Sequence, residues 1–137
     1  MSTVACFDEK VQETVSSIEH TEKSVIQASD EHANRLIDVA AQLQVTIGML
    51  KQLVDNIESS FNSYSEAQAG NMVTQIFPIF RLSASLKEAL HKENLIESLS
   101  NLVEDFDAEV KDLLEITNDL SRYKVNVRND FDALFNH

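Results

Sequence analysis

Glu88 and His91 stand three residues apart, which on a helix sets a carboxylate and an imidazole on one face. Glu-x-x-His is the spacing by which di-iron bundles hold metal, where it occurs on two helices and is completed by two further inward carboxylates. The rest of that set is missing, because serine stands three residues before both His20 and His32, and leucine before His137. No metal site is expected. The lone Cys6 has no partner for an internal disulfide and no neighbouring His to activate its thiol, so it reads as an inert packing residue. The run Glu104, Asp105, Asp107, Glu109, Asp112, Glu115 and Asp119 could dock a Lys/Arg-rich partner, but the preferred reading is the solvated face of a coiled-coil helix. No Gly-rich loop could cradle a phosphate, and no spacing of Ser, His and carboxylate selects a triad. The expectation is a chain with no catalytic residues and no cofactor, hence not an enzyme.

The elements that would position these groups are helices. From Ile96 the chain repeats apolar residues at alternating spacings of three and four, through Leu99, Val103, Phe106, Val110, Leu113, Thr117, Leu120, Lys124, Val127, Phe131 and Leu134, with only Thr117 and Lys124 polar. A repeat averaging about 3.5 residues keeps one seam of a helix facing a partner helix over many turns, the specification of a coiled coil or long bundle. Similar spacing runs through Val11, Val15, Ile18 and Val25, then Leu36, Val39, Leu43, Ile47, Leu50, Val54, Ile57, Phe61 and Tyr64. With 2 Gly and 1 Pro in 137 residues, there is little material for the turns a sheet requires.

Ser2 or Thr3 can cap a first helix running from about 4 to about 68, and Ser29 or Asp30 offers a second cap within it. Gly70-Asn71 reads as the strongest stop signal, followed by Pro78. Ser83 or Ser85 can then cap a second helix to about 135. The predicted fold is all-α: one domain over 1–137, a long antiparallel helical hairpin or coiled coil with an apolar turn region at about 69–82. In that register Glu22 faces Lys124, an opposite-charge pair at the seam.

A third apolar column lies beside each seam, with Ile26, Ala33, Ala40, Ile47, Val54 and Phe61 on the first helix and Leu95, Leu102, Ile116 and Tyr123 on the second. Stripes of that width belong to bundles of three or more helices. Either partner chains or a second copy complete the bundle, the preferred reading, or the chain folds back by breaking at Ser29-Asp30 and near His91 to Asn94. The seam expected to meet other helical chains is Leu36, Leu43, Leu50, Ile57, Ile96, Val103, Phe106, Val110 and Leu113. The tip segment Met72, Val73, Ile76, Phe77, Pro78, Ile79, Phe80 and Leu82 either closes the end of the hairpin or enters a partner's groove.

With 23 acidic against 11 basic side chains and a net charge of −12, the chain repels phosphate backbones and anionic headgroups. Nucleic acid and membrane contact are not expected. No signal peptide and no membrane-spanning run is visible, which predicts an intracellular, cytoplasmic protein, with the nucleus compatible. The functional expectation is a non-catalytic coiled-coil subunit of a larger helical complex, of scaffold or tether type. The alternative is a self-contained four-helix bundle that holds a small apolar ligand or lipid near Phe61, Tyr64, Phe77 and Phe80.

Overall fold

The computed structural model describes residues 3–28 and 33–122, and within them the chain is all-helical and bundle-like, with no strand. Four α-helices follow in order: α1 Thr3–Ala28, α2 Ala33–Ser60, α3 Glu66–Lys92 and α4 Ser100–Leu120, with a 3₁₀ turn Phe61–Ser63 between α2 and α3. Helix α1 lies against α2 and α3, and α4 lies against the same two, so α1 and α4 occupy opposite corners. Ser17 of α1 meets Thr46 of α2, positions similarly far from the end of α1 and the start of α2, as in an antiparallel pair. Ser85 of α3 donates to Glu22 of α1 at 2.7 Å, both near the C-terminal ends of their helices, so α1 and α3 run parallel.

Two long helices were expected where the structure has four shorter ones. The helix predicted over 4–68 is divided between Ala28 and Ala33 and again after Ser60. Folding back lets the wide stripes of α1 and α2 bury against one another, which a straight rod leaves in water. Val25, Val39, Leu43 and Leu50 are fully buried as a result. The candidate caps Ser29 and Asp30, together with His32, lie outside the described residues, as do Tyr123, Lys124, Val127, Phe131, Leu134 and His137.

The turn expected at 69–82 is the body of α3 instead. The decisive local signal is a capping box one turn earlier. Ser65 Oγ accepts from the Gln68 backbone N–H at 3.1 Å, and Gln68 Oε1 accepts from the Ser65 N–H at 2.9 Å. Two donors at the helix end are thereby satisfied, so Gly70 falls inside the helix and has no positive φ. Pro78 also sits inside α3, where it removes one rung of the ladder. Packing retains both residues: Ala69, Met72, Ile76, Ile79, Ser83, Leu86 and Leu90 form an unbroken buried seam at spacings of three and four.

The second long helix, predicted over 83–135, is interrupted between Lys92 and Ser100. Asn94 adopts the left-handed conformation (φ 58°), its N–H donates to His91 O at 3.1 Å, and Leu95 N–H donates to Leu90 O at 2.9 Å. These are the paired bonds of a Schellman C-cap, and asparagine is among the few residues besides glycine that enter this region readily.

Phe106, Ile18, Leu43, Leu50, Leu53, Ile57, Met72, Ile76, Ile79, Leu86, Leu90 and Leu113 are the largest fully buried side chains, drawn from all four helices. Polar groups in this interior are largely satisfied locally. Thr14, Thr21 and Thr117 donate to the carbonyls of Lys10, Ser17 and Leu113 at 2.8, 2.8 and 2.6 Å. Between α1 and α2, Thr46 Oγ1 lies 2.6 Å from Ser17 Oγ and 3.1 Å from Thr21 Oγ1, a buried hydroxyl cluster. Thr21 holds the buried seam position on α1 and Glu22 accepts from Ser85 of α3, while the pairing of Glu22 with Lys124 lies outside the described residues.

Candidate functional site

The residues expected to meet a partner helix are mostly used within the chain. Leu43, Leu50, Ile57, Phe106 and Leu113 are fully buried and Val103 is nearly so, while Leu36, Ile96 and Val110 are partly buried against the same core. In the folded chain most of this seam is interior.

The tip segment divides by helical phase. Met72, Ile76 and Ile79 point into the core, and Val73, Pro78, Phe80 and Leu82 are half-buried. Phe77 is 60% exposed. Its surroundings follow from the packing of α3 against α4, the least extensive of the four helix pairings. Lys87 Nζ meets Asp107 Oδ2 at 3.0 Å, and the two helices run in opposite directions away from their connecting turn. Residues at helical spacing from Lys87 toward the start of α3 are Ala84, Phe80, Phe77 and Val73; from Asp107 toward the end of α4 they are Val110, Leu114 and Ser121. Leu114 is 44% exposed. By helical spacing, Val73, Phe77 and Phe80 lie toward the side of α3 that carries Lys87, and Val110 and Leu114 toward the side of α4 that carries Asp107.

Leu114 was not singled out from the sequence, since it lies one residue off the α4 seam. Its signal is the Leu113-Leu114 doublet, in which only one member can face the core. Phe61, Tyr64, Phe77 and Phe80 do not behave as one unit: Tyr64 is buried, with its hydroxyl donating to Asn56 O at 3.4 Å, while Phe77 faces solvent. Burial pushes the Tyr64 phenol above its ordinary value, an effect partly offset by a hydrogen bond with Ser60.

A second open surface lies between α1 and α2, a shallow cleft of about 580 Å³ whose walls include His20, Gln42, Val45 and Met49. Val45 is exposed in this cleft, and Ile37 is exposed elsewhere on α2. A smaller cleft between α1 and α3 includes Glu22, Ile26 and Ser85.

The groups with potential chemistry are dispersed. Glu88 and His91 are exposed, with Glu88 3.9 Å from Lys92 one turn on. Among the described residues, no three of His, Cys, Asp and Glu are grouped so as to hold a metal ion. The side chain of Cys6 lies outside the described set. In the acidic run, Asp107 pairs with Lys87, while Glu104, Asp105, Asp112, Glu115 and Asp119 are exposed. Glu109 is the perturbed member: partial burial raises its pKa above the ordinary 4.5, and Asp112, Asp55 and Asp105 reinforce the rise against the opposing field of Lys51. This arrangement favours protonation of one carboxyl between α2 and α4 and supplies no nucleophile or pocket beside it.

The fold defines the chain as an all-α, bundle-like protein in which no described helix is long and apolar enough to cross a membrane. Comparison with known proteins finds no matching family model, no matching curated protein and no matching solved structure. The functional reading therefore rests on the geometry of this chain.

Proposed function

We propose that the protein is a non-catalytic interaction subunit, a helical scaffold or tether that receives an amphipathic helix of another chain in the groove between α3 and α4. One observation carries the reading: Phe77 on α3 and Leu114 on α4 are large, apolar and exposed, on two helices that pack on one another less extensively than either packs on its other neighbour. Exposed apolar groups set into a groove between helices are the usual receptor for an amphipathic helix, with anchors at i, i+3, i+4 and i+7. The net charge of −12 sets such a role apart from nucleic acid and anionic membrane surfaces and suits a cytoplasmic partner.

The test places a photo-cross-linking phenylalanine analogue at position 77 of the full chain in its native cells, with the same analogue at exposed Glu104 as control. A discrete protein adduct from position 77 only, lost in the Leu114→Asp variant at unchanged helicity, is the expected result. Equal labelling from both positions, or none from position 77, overturns the reading.

A further inference from the structure

Helix α1 exposes Glu9, Glu13 and Glu19, and α4 exposes Glu104, Asp105, Asp112, Glu115 and Asp119. The outer face of α2 is different. Between residues 37 and 52 it turns Ile37, Ala41, Gln44, Val45, Gly48 and Gln52 to solvent, none of them charged. Ile37 is 65% exposed and Val45 50%. These six fall within about 100° of the helix circumference, opposite the buried Val39, Leu43, Thr46 and Leu50. Asp38 and Lys51, the exposed charges of this stretch, flank the strip on either side and cancel.

Gly48 sharpens the observation. It stands inside α2, where glycine is less favourable than any residue but proline, and a Cβ added to it would meet nothing within 4 Å. Packing within the chain therefore gives no reason for a glycine here, whereas a helix laid on this face from outside would use it for close backbone approach.

We infer that two copies of this chain pair through the outer face of α2, antiparallel about a two-fold axis passing between Gln44 and Val45. Ala41 and Gly48 are equidistant from that point, so Ala41 of each copy lies against Gly48 of the other. The two smallest side chains of the strip thus let the helices close up. Val45 meets its own counterpart, and so does Gln44, whose amide both donates and accepts. On the flanks, Ile37 comes level with the stem of Lys51, and Asp38 with the amide of Gln52. The strip is complementary to itself, as an isologous interface requires, and its centre is depleted of charge.

Charge selects this occupant. A strongly basic or acidic helix finds one counter-charge at most, Asp38 or Lys51, whereas one acid, one base, two amides and an apolar centre match a second strip of the same kind. Each copy carries a net charge of −12, so the contact has to avoid opposing like charges. In this register the two copies of Asp38, and likewise of Lys51, stand about 20 Å apart at the helical rise, beyond the screening length of about 8 Å at physiological salt. The strip is about 22 Å long and about 10 Å wide, at the small end of protein interfaces, so association is weak, on the order of 100 µM. It contains neither Phe77 nor Leu114, so the inference stands apart from the reading of α3 and α4.

Sedimentation equilibrium of the full chain, from about 10 µM to about 1 mM, tests the pairing. The weight-average mass is expected to rise from one chain of 15.4 kDa toward two. Gly48→Gln should weaken association at least ten-fold, while the monomer keeps its helicity and melts no lower, because open space receives the new side chain and helix propensity improves. Phe77→Ala should leave association unchanged. Disulfide trapping in a Cys6→Ser background reads the geometry: Val45→Cys alone should cross-link, and Ala41→Cys should link to Gly48→Cys in an equal mixture but not to itself. A single-chain mass at every concentration overturns the inference, as does association that Gly48→Gln leaves intact or that Phe77→Ala weakens equally. Ala41→Cys linking to itself overturns the antiparallel pairing. Capture of a partner from position 77 in cells is read separately, so either proposal can fail while the other holds.

Discussion

Ile79 and Phe77 offer the sharpest test of the architecture, because they are two residues apart on one helix and differ fully in environment. Ile79 is completely buried and Phe77 is 60% exposed. In an extended hairpin both would belong to the turn and would respond alike. Truncating a buried isoleucine to alanine loses its transfer free energy and leaves a cavity, together about 2 to 5 kcal/mol. Phe77→Ala removes an exposed ring and should stay within about 1 kcal/mol. For a chain of this size, each kcal/mol moves the thermal midpoint by roughly 3 to 5 °C, so Ile79→Ala should lower it by about 6 to 25 °C and Phe77→Ala by less than about 5 °C. Urea unfolding followed by circular dichroism, at two protein concentrations, measures both changes and separates folding from association. Similar losses for the two variants, or a larger loss for Phe77→Ala, would refute the assignment of α3 to the core.

The turn and the acidic flank give further checks. Asn94 holds a left-handed φ of 58°, so Asn94→Ala should destabilise by about 1 kcal/mol whereas Asn94→Gly should be neutral or stabilising, both read from urea midpoints. Glu109 has a raised pKa in the folded state, so folding takes up protons between the ordinary value of 4.5 and that raised value, and this group's contribution to stability falls as pH rises through the window. Glu109→Gln should accordingly raise the thermal midpoint at pH 7 and leave it unchanged below pH 4.5; the opposite order would show that the carboxylate is stabilised by Lys51 and not penalised by its acidic neighbours and burial.

The heptad of α4 was legible because each apolar position repeats the same physical demand: Val103, Phe106 and Leu113 are inward at spacings that only a helix brings into line, and all three are buried. The same holds for Leu43, Leu50 and Ile57 of α2. The helix ends were harder to read, since they depend on which local bonds are formed. Gly70 and Pro78 are breakers by intrinsic preference, yet the Ser65–Gln68 capping box and the buried seam from Ala69 to Leu90 outweigh them. The candidate site was half legible. The apolar excess of 72–82 was visible, but its division into core-facing Ile76 and Ile79 and exposed Phe77 required the phase of α3.

Helical class, the interior columns and the acidic balance follow from residue type and spacing along the chain, which act over a few residues and leave a periodic trace. Whether those columns face a second molecule or one another does not, because an apolar seam has the same period in either case. The tertiary structure brings the columns of α1 to α4 together within the chain: α1 and α2 pack on one another and the chain turns at Asn94, so that most of the seam residues are buried in one core. The same packing leaves Phe77 of α3 and Leu114 of α4 exposed while their neighbours Ile76 and Leu113 are buried, a division that depends on how the helices meet and has no counterpart in local order.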